Sequence, residues 1–228
     1  MRVAYLHGFL GDIATWDRVA PPGPEHRAIA LPGHGGGPVL GSWSANVTAV
    51  AEAIGACDVV VGYSLGARVA TGLVVAGHVP RAILISVNPG IDDADRADRR
   101  ASDAAWAQQL RTRPIGEFLT AWEAQPLFAS QARVPADLLA TRRARRLRHD
   151  PEQLARSLEV MGLAEMPDYR RSITRDRFAL VAGAEDPKYV AIARALSSPL
   201  ELIAGSGHDP ALEQPVRLGE AIARLLSR

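Results

Sequence analysis

The clearest chemical signal in this chain is Gly62-Tyr63-Ser64-Leu65-Gly66, a G-x-S-x-G that follows the apolar run Val59-Val60-Val61 and precedes a helical pattern. A serine on a sharp strand-to-helix turn is held in a strained backbone conformation, and flanking glycines remove side chains that would clash there. Its hydroxyl projects at the N-terminus of a helix, where free N–H groups and partial positive charge suit a developing oxyanion. An ordinary glycine-rich turn can share these letters; the strand before it and the helix after it favour the chemical reading. A serine needs a base, and the base needs an orienter. Of the six histidines, only His208 follows a late apolar run on a glycine-rich loop, Gly205-Ser206-Gly207-His208. Asp186 follows another such run, in Gly183-Ala184-Glu185-Asp186, and binding groups gather at strand C-termini. Glu185 stays open as an orienter in place of Asp186. Asp209 is adjacent to the histidine and can hardly reach its ring productively. The expected catalytic set is Ser64, Asp186 and His208.

The other half of an oxyanion hole is expected from Leu6-His7-Gly8-Phe9-Leu10-Gly11, with the backbone N–H of Phe9 paired with that of Leu65. His7 is read as a buried histidine that orders this loop, and a catalytic base is the rival reading. The stretch Leu31-Pro32-Gly33-His34-Gly35-Gly36-Gly37 has the glycines of a phosphate loop. No helical pattern begins immediately after it and it holds no lysine, so neither nucleotide fingerprint fits. No His, Cys and carboxylate cluster stands at metal-ligand spacing, so no metal is expected. The run Arg142-Arg143-Ala144-Arg145-Arg146-Leu147-Arg148 reads as a solvated helix face, or as one that turns an arginine inward over the pocket. Nucleic-acid binding is not expected, because the net charge is only +1 and no aromatic residue interleaves the run.

A chain of 228 residues with 47% hydrophobic side chains suits one large globular domain. Lys188 is the only lysine, so an anion pocket here would be built from planar guanidinium forks, which suit carboxylates; a GC-rich genome alone would give the same bias. Cys57 is alone, which rules out an internal disulfide and fits a reducing cytosol, so a cytoplasmic location is expected. The first apolar run is too short for a signal-peptide core, and no stretch approaches the roughly 18–20 apolar residues of a membrane span. Buried strands are expected at Val3–Leu6, 28–31, 59–62, 82–86, 178–182 and Leu200–Ile203. They are short and not clearly alternating, as strands are when helices cover both faces of a parallel sheet. Helices are expected over 65–76 and over Pro215–Leu226, the latter with Val216, Gly219, Ile222 and Leu226 along one face. This alternation predicts an α/β doubly wound, mostly parallel sheet. Residues 92–174 show no strand pattern and several amphipathic helical pieces, one starting at the N-cap and N1 proline of Asp150-Pro151-Glu152. The expected division is a core of residues 1–91 and 175–228, with 92–174 inserted as a helical cap.

The order serine, aspartate, histidine and the turn around Ser64 resemble the α/β-hydrolase fold. A closer resemblance is to the synthases of 2-succinyl-6-hydroxy-2,4-cyclohexadiene-1-carboxylate in menaquinone biosynthesis. It runs nearly end to end, through His7-Gly8-Phe9-Leu10-Gly11, Leu31-Pro32-Gly33-His34-Gly35, Gly62-Tyr63-Ser64-Leu65-Gly66-Ala67-Arg68 and Asn88-Pro89-Gly90. The inserted segment adds Arg99 ahead of Ser102-Asp103-Ala104-Ala105-Trp106-Ala107. It also adds Trp122-Glu123-Ala124-Gln125-Pro126-Leu127-Phe128 and Leu154-Ala155-Arg156-Ser157-Leu158 leading to Gly162. These last motifs discriminate most, because caps vary freely among enzymes of this fold. The resemblance implies a cofactor-free lyase that eliminates pyruvate from an enolpyruvyl cyclohexene substrate. In that chemistry Ser64 relays a proton instead of being acylated. The small-molecule polycarboxylate substrate would meet Arg68, Arg99 and Arg146, with Arg142, Arg143 and Arg145 competing for the third place. Tyr63 and Trp122 would line the ring pocket, although Trp122 and Trp106 serve equally well as cap packing. Ala67 stands where the family usually has a third glycine, and Asp209-Pro210-Ala211 lacks a second histidine often found there.

Two rivals remain at this level. A carboxylesterase or C–C bond hydrolase would use the same triad with Ser64 as nucleophile. A catalytically silent binding protein would lose a triad member, and this chain keeps all three. A monomer is expected, with neither nucleic acid nor membrane as partner.

Overall fold

The apolar runs become strands because both of their faces are covered. The computed structural model describes residues 1–19 and 25–227. In it β1 (Val3–Leu6), β2 (His26–Ile29), β3 (Val59–Tyr63), β4 (Arg81–Ile85), β5 (Phe178–Gly183) and β6 (Leu200–Ile203) form one sheet. The order is β2-β1-β3-β4-β5-β6, and each of these pairings is parallel. Successive strand residues point to opposite sides. Ala4, Leu6, Val60, Ala82, Leu84 and Leu180 pack on one side, with residues of α1 (Trp43–Ile54) and α2 (Leu65–Val75). Val3, Tyr5, Val59, Val61, Ile83, Ile85 and Val181 pack on the other, with residues that include the last helix. This is the expected α/β-hydrolase architecture, a doubly wound sheet with helices on both faces.

Between β4 and β5 the chain carries helices only: α3 (Arg96–Thr112), α4 (Ile115–Glu123), α5 (Ala136–Arg146) and α6 (Pro151–Val160), with short 3₁₀ turns. The carboxylate of Asp150 caps α6 as its sequence predicts, accepting from the amides of Glu152 (2.9 Å) and Gln153 (3.4 Å). Of these, α3, α4 and α6 share a core of Ala107, Leu110, Phe118, Leu119, Leu154, Ala155 and Leu158. Leu10, from the loop after β1, belongs to it and ties the helical layer to the sheet. After β5 come α7 (Pro187–Arg194), β6, α8 (Pro210–Glu213) and α9 (Pro215–Leu226). Among the described residues no helix is long and apolar enough to cross a membrane.

Two expectations need correction. The second strand spans His26–Ile29, not 28–31. It is an edge strand with a half-exposed polar start, so the apolar run marks burial beyond its end: Leu31 is fully buried in the loop that follows. The buried face of α9 is Leu218, Ala221, Ile222 and Leu225. Val216 is 69% exposed, so of the face expected there only Ile222 is buried. The helix has the expected bounds, but the face turned to the sheet is displaced by about one residue from the expected one, and apolar residues on both phases leave the sequence pattern ambiguous.

Candidate active site

Strand order reverses between β1 and β3, so the loops leaving their C-terminal ends diverge and leave a crevice. Ser64 sits at this point, between the end of β3 and the first residue of α2, with φ 51° and ψ −107°. Such a conformation costs roughly 1–3 kcal/mol and persists only where the surroundings enforce it. Here they do. The Ser64 amide donates to the Ile85 carbonyl at 2.9 Å. A Cβ on Gly62 would lie 2.3 Å from the Gly66 carbonyl oxygen, and one on Gly66 would lie 2.2 Å from that of Leu6. Glycine at both positions lets the turn close against β1.

Asp186 follows β5 and His208 follows β6, which brings both to the same edge of the sheet as Ser64. His208 Nε2 lies 3.4 Å from Ser64 Oγ, and His208 Nδ1 lies 2.8 Å from Asp186 Oδ2. Both His208 and Asp186 are buried. The second oxygen of Asp186 caps α7 by accepting from the Tyr189 amide at 3.2 Å. The Ser86 hydroxyl donates to the His208 carbonyl at 2.9 Å and fixes the loop from beneath. The choice of orienter is thereby decided in geometry: Glu185 turns outward and pairs with Arg133. Asp209 pairs with Arg142 at 3.2 Å and caps α8, facing away from the imidazole.

Phe9 and Leu65 border the same space as the Ser64 hydroxyl. Neither backbone amide donates to a protein acceptor among the described residues. His7 orders the Phe9 loop: its Nδ1 bonds the Gly8 carbonyl at 2.8 Å, and its Nε2 accepts from the Leu31 amide at 3.1 Å. With both ring nitrogens engaged it has no free base to offer. Burial pulls its pKa down to about 4, so it is neutral at neutral pH. Phe9 packs edge-on to His34 and tilts against Trp122.

Ser64, Asp186, His208, Phe9, Leu65, Tyr63, Arg68, Arg99, Arg146 and Trp122 all line one cavity of about 530 Å³, roofed by α3, α4 and α6. The competing arginines fall elsewhere. Arg142 and Arg145 open onto a neighbouring cavity, and Arg143 bonds Glu123, Thr120 and the Gly116 carbonyl. The three arginines that reach the site are not equivalent. Arg99 Nε donates to Asp103 Oδ2 at 2.8 Å, and Arg146 Nη1 donates to Glu123 Oε1 at 2.9 Å. Arg68 has no carboxylate within ion-pairing distance among the described residues; its Nη1 donates to the Met161 carbonyl at 2.8 Å. Burial first, then Arg99, draws its pKa down to about 10, which still leaves it charged at neutral pH. Burial also lowers Arg146, with Arg142 adding to the effect. Burial raises the Tyr63 hydroxyl well above its usual range, with Asp209 adding to it, so the phenol stays neutral. Trp122 serves both expected roles: it lines the cavity and also packs against Trp106, Phe118 and Phe128.

Sequence reasoning passed over three residues here. The Tyr189 ring packs 4.3 Å from the His208 ring, centroid to centroid, while its amide holds Asp186. The pair Asp186-Pro187 is the same N-cap and N1-proline signal as Asp150-Pro151 and would have put Tyr189 in the first turn. Glu123 holds Arg146, and Ser157 lines the cavity; both stand inside motifs quoted for their spelling alone.

A parallel α/β sheet with a strained serine at its switch point, bonded through histidine to aspartate, defines a class, and the model of the Alpha/beta hydrolase family matches residues 3–221. The 2-succinyl-6-hydroxy-2,4-cyclohexadiene-1-carboxylate synthase of Citrobacter koseri is 32% identical over 98% of this chain and 93% of its own length. That of Klebsiella pneumoniae is 32% identical over 99% and 93%. The structure of MenH from S. aureus superposes with a TM-score of 0.89 at 28% identity, covering 100% of this chain and 93% of that one. A thermophilic esterase from Thermogutta terrifontis shares the fold, with a TM-score of 0.74 at 21% identity over 100% of this chain and 89% of that one. The chain belongs to the α/β hydrolase superfamily and, within it, to the family of the 2-succinyl-6-hydroxy-2,4-cyclohexadiene-1-carboxylate synthases.

Proposed function

We propose that this chain eliminates pyruvate from 2-succinyl-5-enolpyruvyl-6-hydroxy-3-cyclohexene-1-carboxylate, as a cofactor-free lyase of menaquinone biosynthesis. Substrate and product differ in a defined way. Carbon 2 loses a proton, the ring double bond moves from position 3 to positions 2 and 4, and the bond from carbon 5 to the enolpyruvyl oxygen breaks. His208, oriented by Asp186, takes the Ser64 proton as Ser64 Oγ removes the proton on carbon 2. Charge moves to the succinyl carbonyl oxygen, where the amides of Phe9 and Leu65 stabilise the enolate. Collapse of the enolate through the ring expels pyruvate as its enolate, which takes a proton from the imidazolium. Ser64 Oγ returns protonated, no acyl-enzyme forms, and atoms balance. The 3.4 Å separation of Ser64 and His208 suits a site that tightens when substrate enters.

The observation that carries this reading is the cavity wall. Three guanidinium groups border the space in front of Ser64, and one of them, Arg68, has the Met161 carbonyl and the Trp43 ring as partners but no carboxylate among the described residues. That wall suits a substrate with three carboxylates and suits a neutral ester poorly, because a desolvated guanidinium needs an anion. In this reading residues 92–174 form a cap over a core of 1–91 and 175–228, and Tyr63 and Trp122 flank the ring. The test is to mix the purified chain with the enolpyruvyl substrate and follow diene absorbance together with pyruvate release. Turnover abolished by Ser64→Ala supports the reading. No turnover above the uncatalysed rate, with rapid hydrolysis of short nitrophenyl esters, replaces it with a carboxylesterase.

A further inference from the structure

Ser157 is the one residue on the cavity wall whose buried side-chain oxygen has no hydrogen-bond partner among the described residues. It is 2% exposed and stands on α6, where a hydroxyl ordinarily donates back to the carbonyl four residues earlier. Other helical hydroxyls in this chain do so: Thr71 to Ala67 at 2.9 Å, Thr112 to Gln108 at 2.7 Å and Thr120 to Gly116 at 3.0 Å. Ser157 does not. A buried hydroxyl left without a partner is destabilising, and such groups call for an explanation.

The neighbouring turn supplies one. The Met161 amide donates to the Ser157 carbonyl at 2.9 Å, and the Met161 carbonyl accepts from Arg68 Nη1 at 2.8 Å. One turn of α6 therefore carries Ser157 at its start and the anchored Arg68 guanidinium at its end, and both border the cavity. A guanidinium without a carboxylate and a hydroxyl without an acceptor share one need, an anion with lone pairs to spare. We propose that Ser157 is a substrate-binding residue whose Oγ donates to the carboxylate that Arg68 takes, so that α6 supplies a neutral donor to a two-point carboxylate clamp. This assignment rests on the reading of the substrate as a polycarboxylate and adds to it a residue on the inserted helices. Arg68 belongs to α2, which packs on the sheet, and Ser157 to α6 of the inserted helices, so a carboxylate held by both would also bridge the two layers.

The experiment compares wild type, Ser157→Ala and Ser157→Thr with the enolpyruvyl substrate, measuring KM, kcat and the thermal midpoint. The expected result is a KM about tenfold higher for Ser157→Ala, with a much smaller change in kcat, an unchanged or higher midpoint, and partial recovery of KM in Ser157→Thr. An active wild type with KM unchanged in Ser157→Ala overturns this assignment and leaves the function intact. A midpoint lowered by several degrees in Ser157→Ala, with KM raised equally in both variants, also overturns it, because the hydroxyl would then be structural. An inactive wild type removes the proposed function, and this assignment with it.

Discussion

Glu123 Oε1 accepts from Arg146 Nη1 at 2.9 Å, which joins the end of α4 to the end of α5 across the cavity roof. Arg146 is buried and Glu123 is largely so, and the other oxygen of Glu123 takes Arg143. One carboxylate thus holds two cations, and removing it leaves both with reduced compensation in a low-dielectric place. Glu123→Ala is expected to lower stability by about 2 kcal/mol. Urea unfolding checks this, and a midpoint unchanged from wild type would show the pair to be energetically idle.

Asp186→Asn tests orientation separately from folding. An asparagine can still accept from the Tyr189 amide and keep α7 capped, but it no longer matches the Nδ1–H of His208 with a charge. The expected outcome is a native thermal midpoint and a kcat lower by about 10³–10⁴, read by pyruvate release. Glu185→Gln, outside the site and paired with Arg133, is expected to change kcat by less than about twofold.

His7 makes stability depend on pH. Its pKa is about 4 when folded and about 6.5 when unfolded, so the unfolded chain binds more protons between these values. The stabilisation is fully present above about pH 6.5 and is lost as the pH falls toward 4. Between pH 7 and pH 5 this residue alone is expected to remove about 2 kcal/mol. Burial likewise holds His34 well below its usual value, which adds to the loss in the same direction. Denaturant midpoints at the two pH values check the slope, and His7→Asn should flatten it.

Gly66→Ala is expected to cost about 3 kcal/mol or more, because the new Cβ would lie 2.2 Å from the Leu6 carbonyl oxygen. Backbone, not a flexible side chain, is the obstacle, so α2 must move away from β1 and carry Ser64 with it. Thermal unfolding measures the loss. A variant with native stability and native activity would show that the turn has slack.

The sequence alone determined the local features: the strained serine between Val59-Val60-Val61 and a helix, the capped start of α6 and the six apolar runs that became strands or their borders. Each of these depends on neighbours in the chain, such as a glycine beside a serine, an aspartate before a proline or a run too apolar to leave in water. Where two local phases were equally apolar, as along α9, or where a strand lies at the sheet edge, as β2 does, the same reading slipped by one or two residues. Tertiary structure decided what depends on distance. It took Asp186 rather than Glu185 as the partner of His208, and it turned Arg146 rather than Arg142, Arg143 or Arg145 into the cavity. Among the described residues it also left Arg68 without a carboxylate and the Ser157 hydroxyl without a hydrogen-bond partner on the same wall. Neighbouring residues in a sequence look alike to any rule based on spacing, whereas their side chains leave the backbone in different directions, and a hydrogen bond made or missed by a few ångströms separates them.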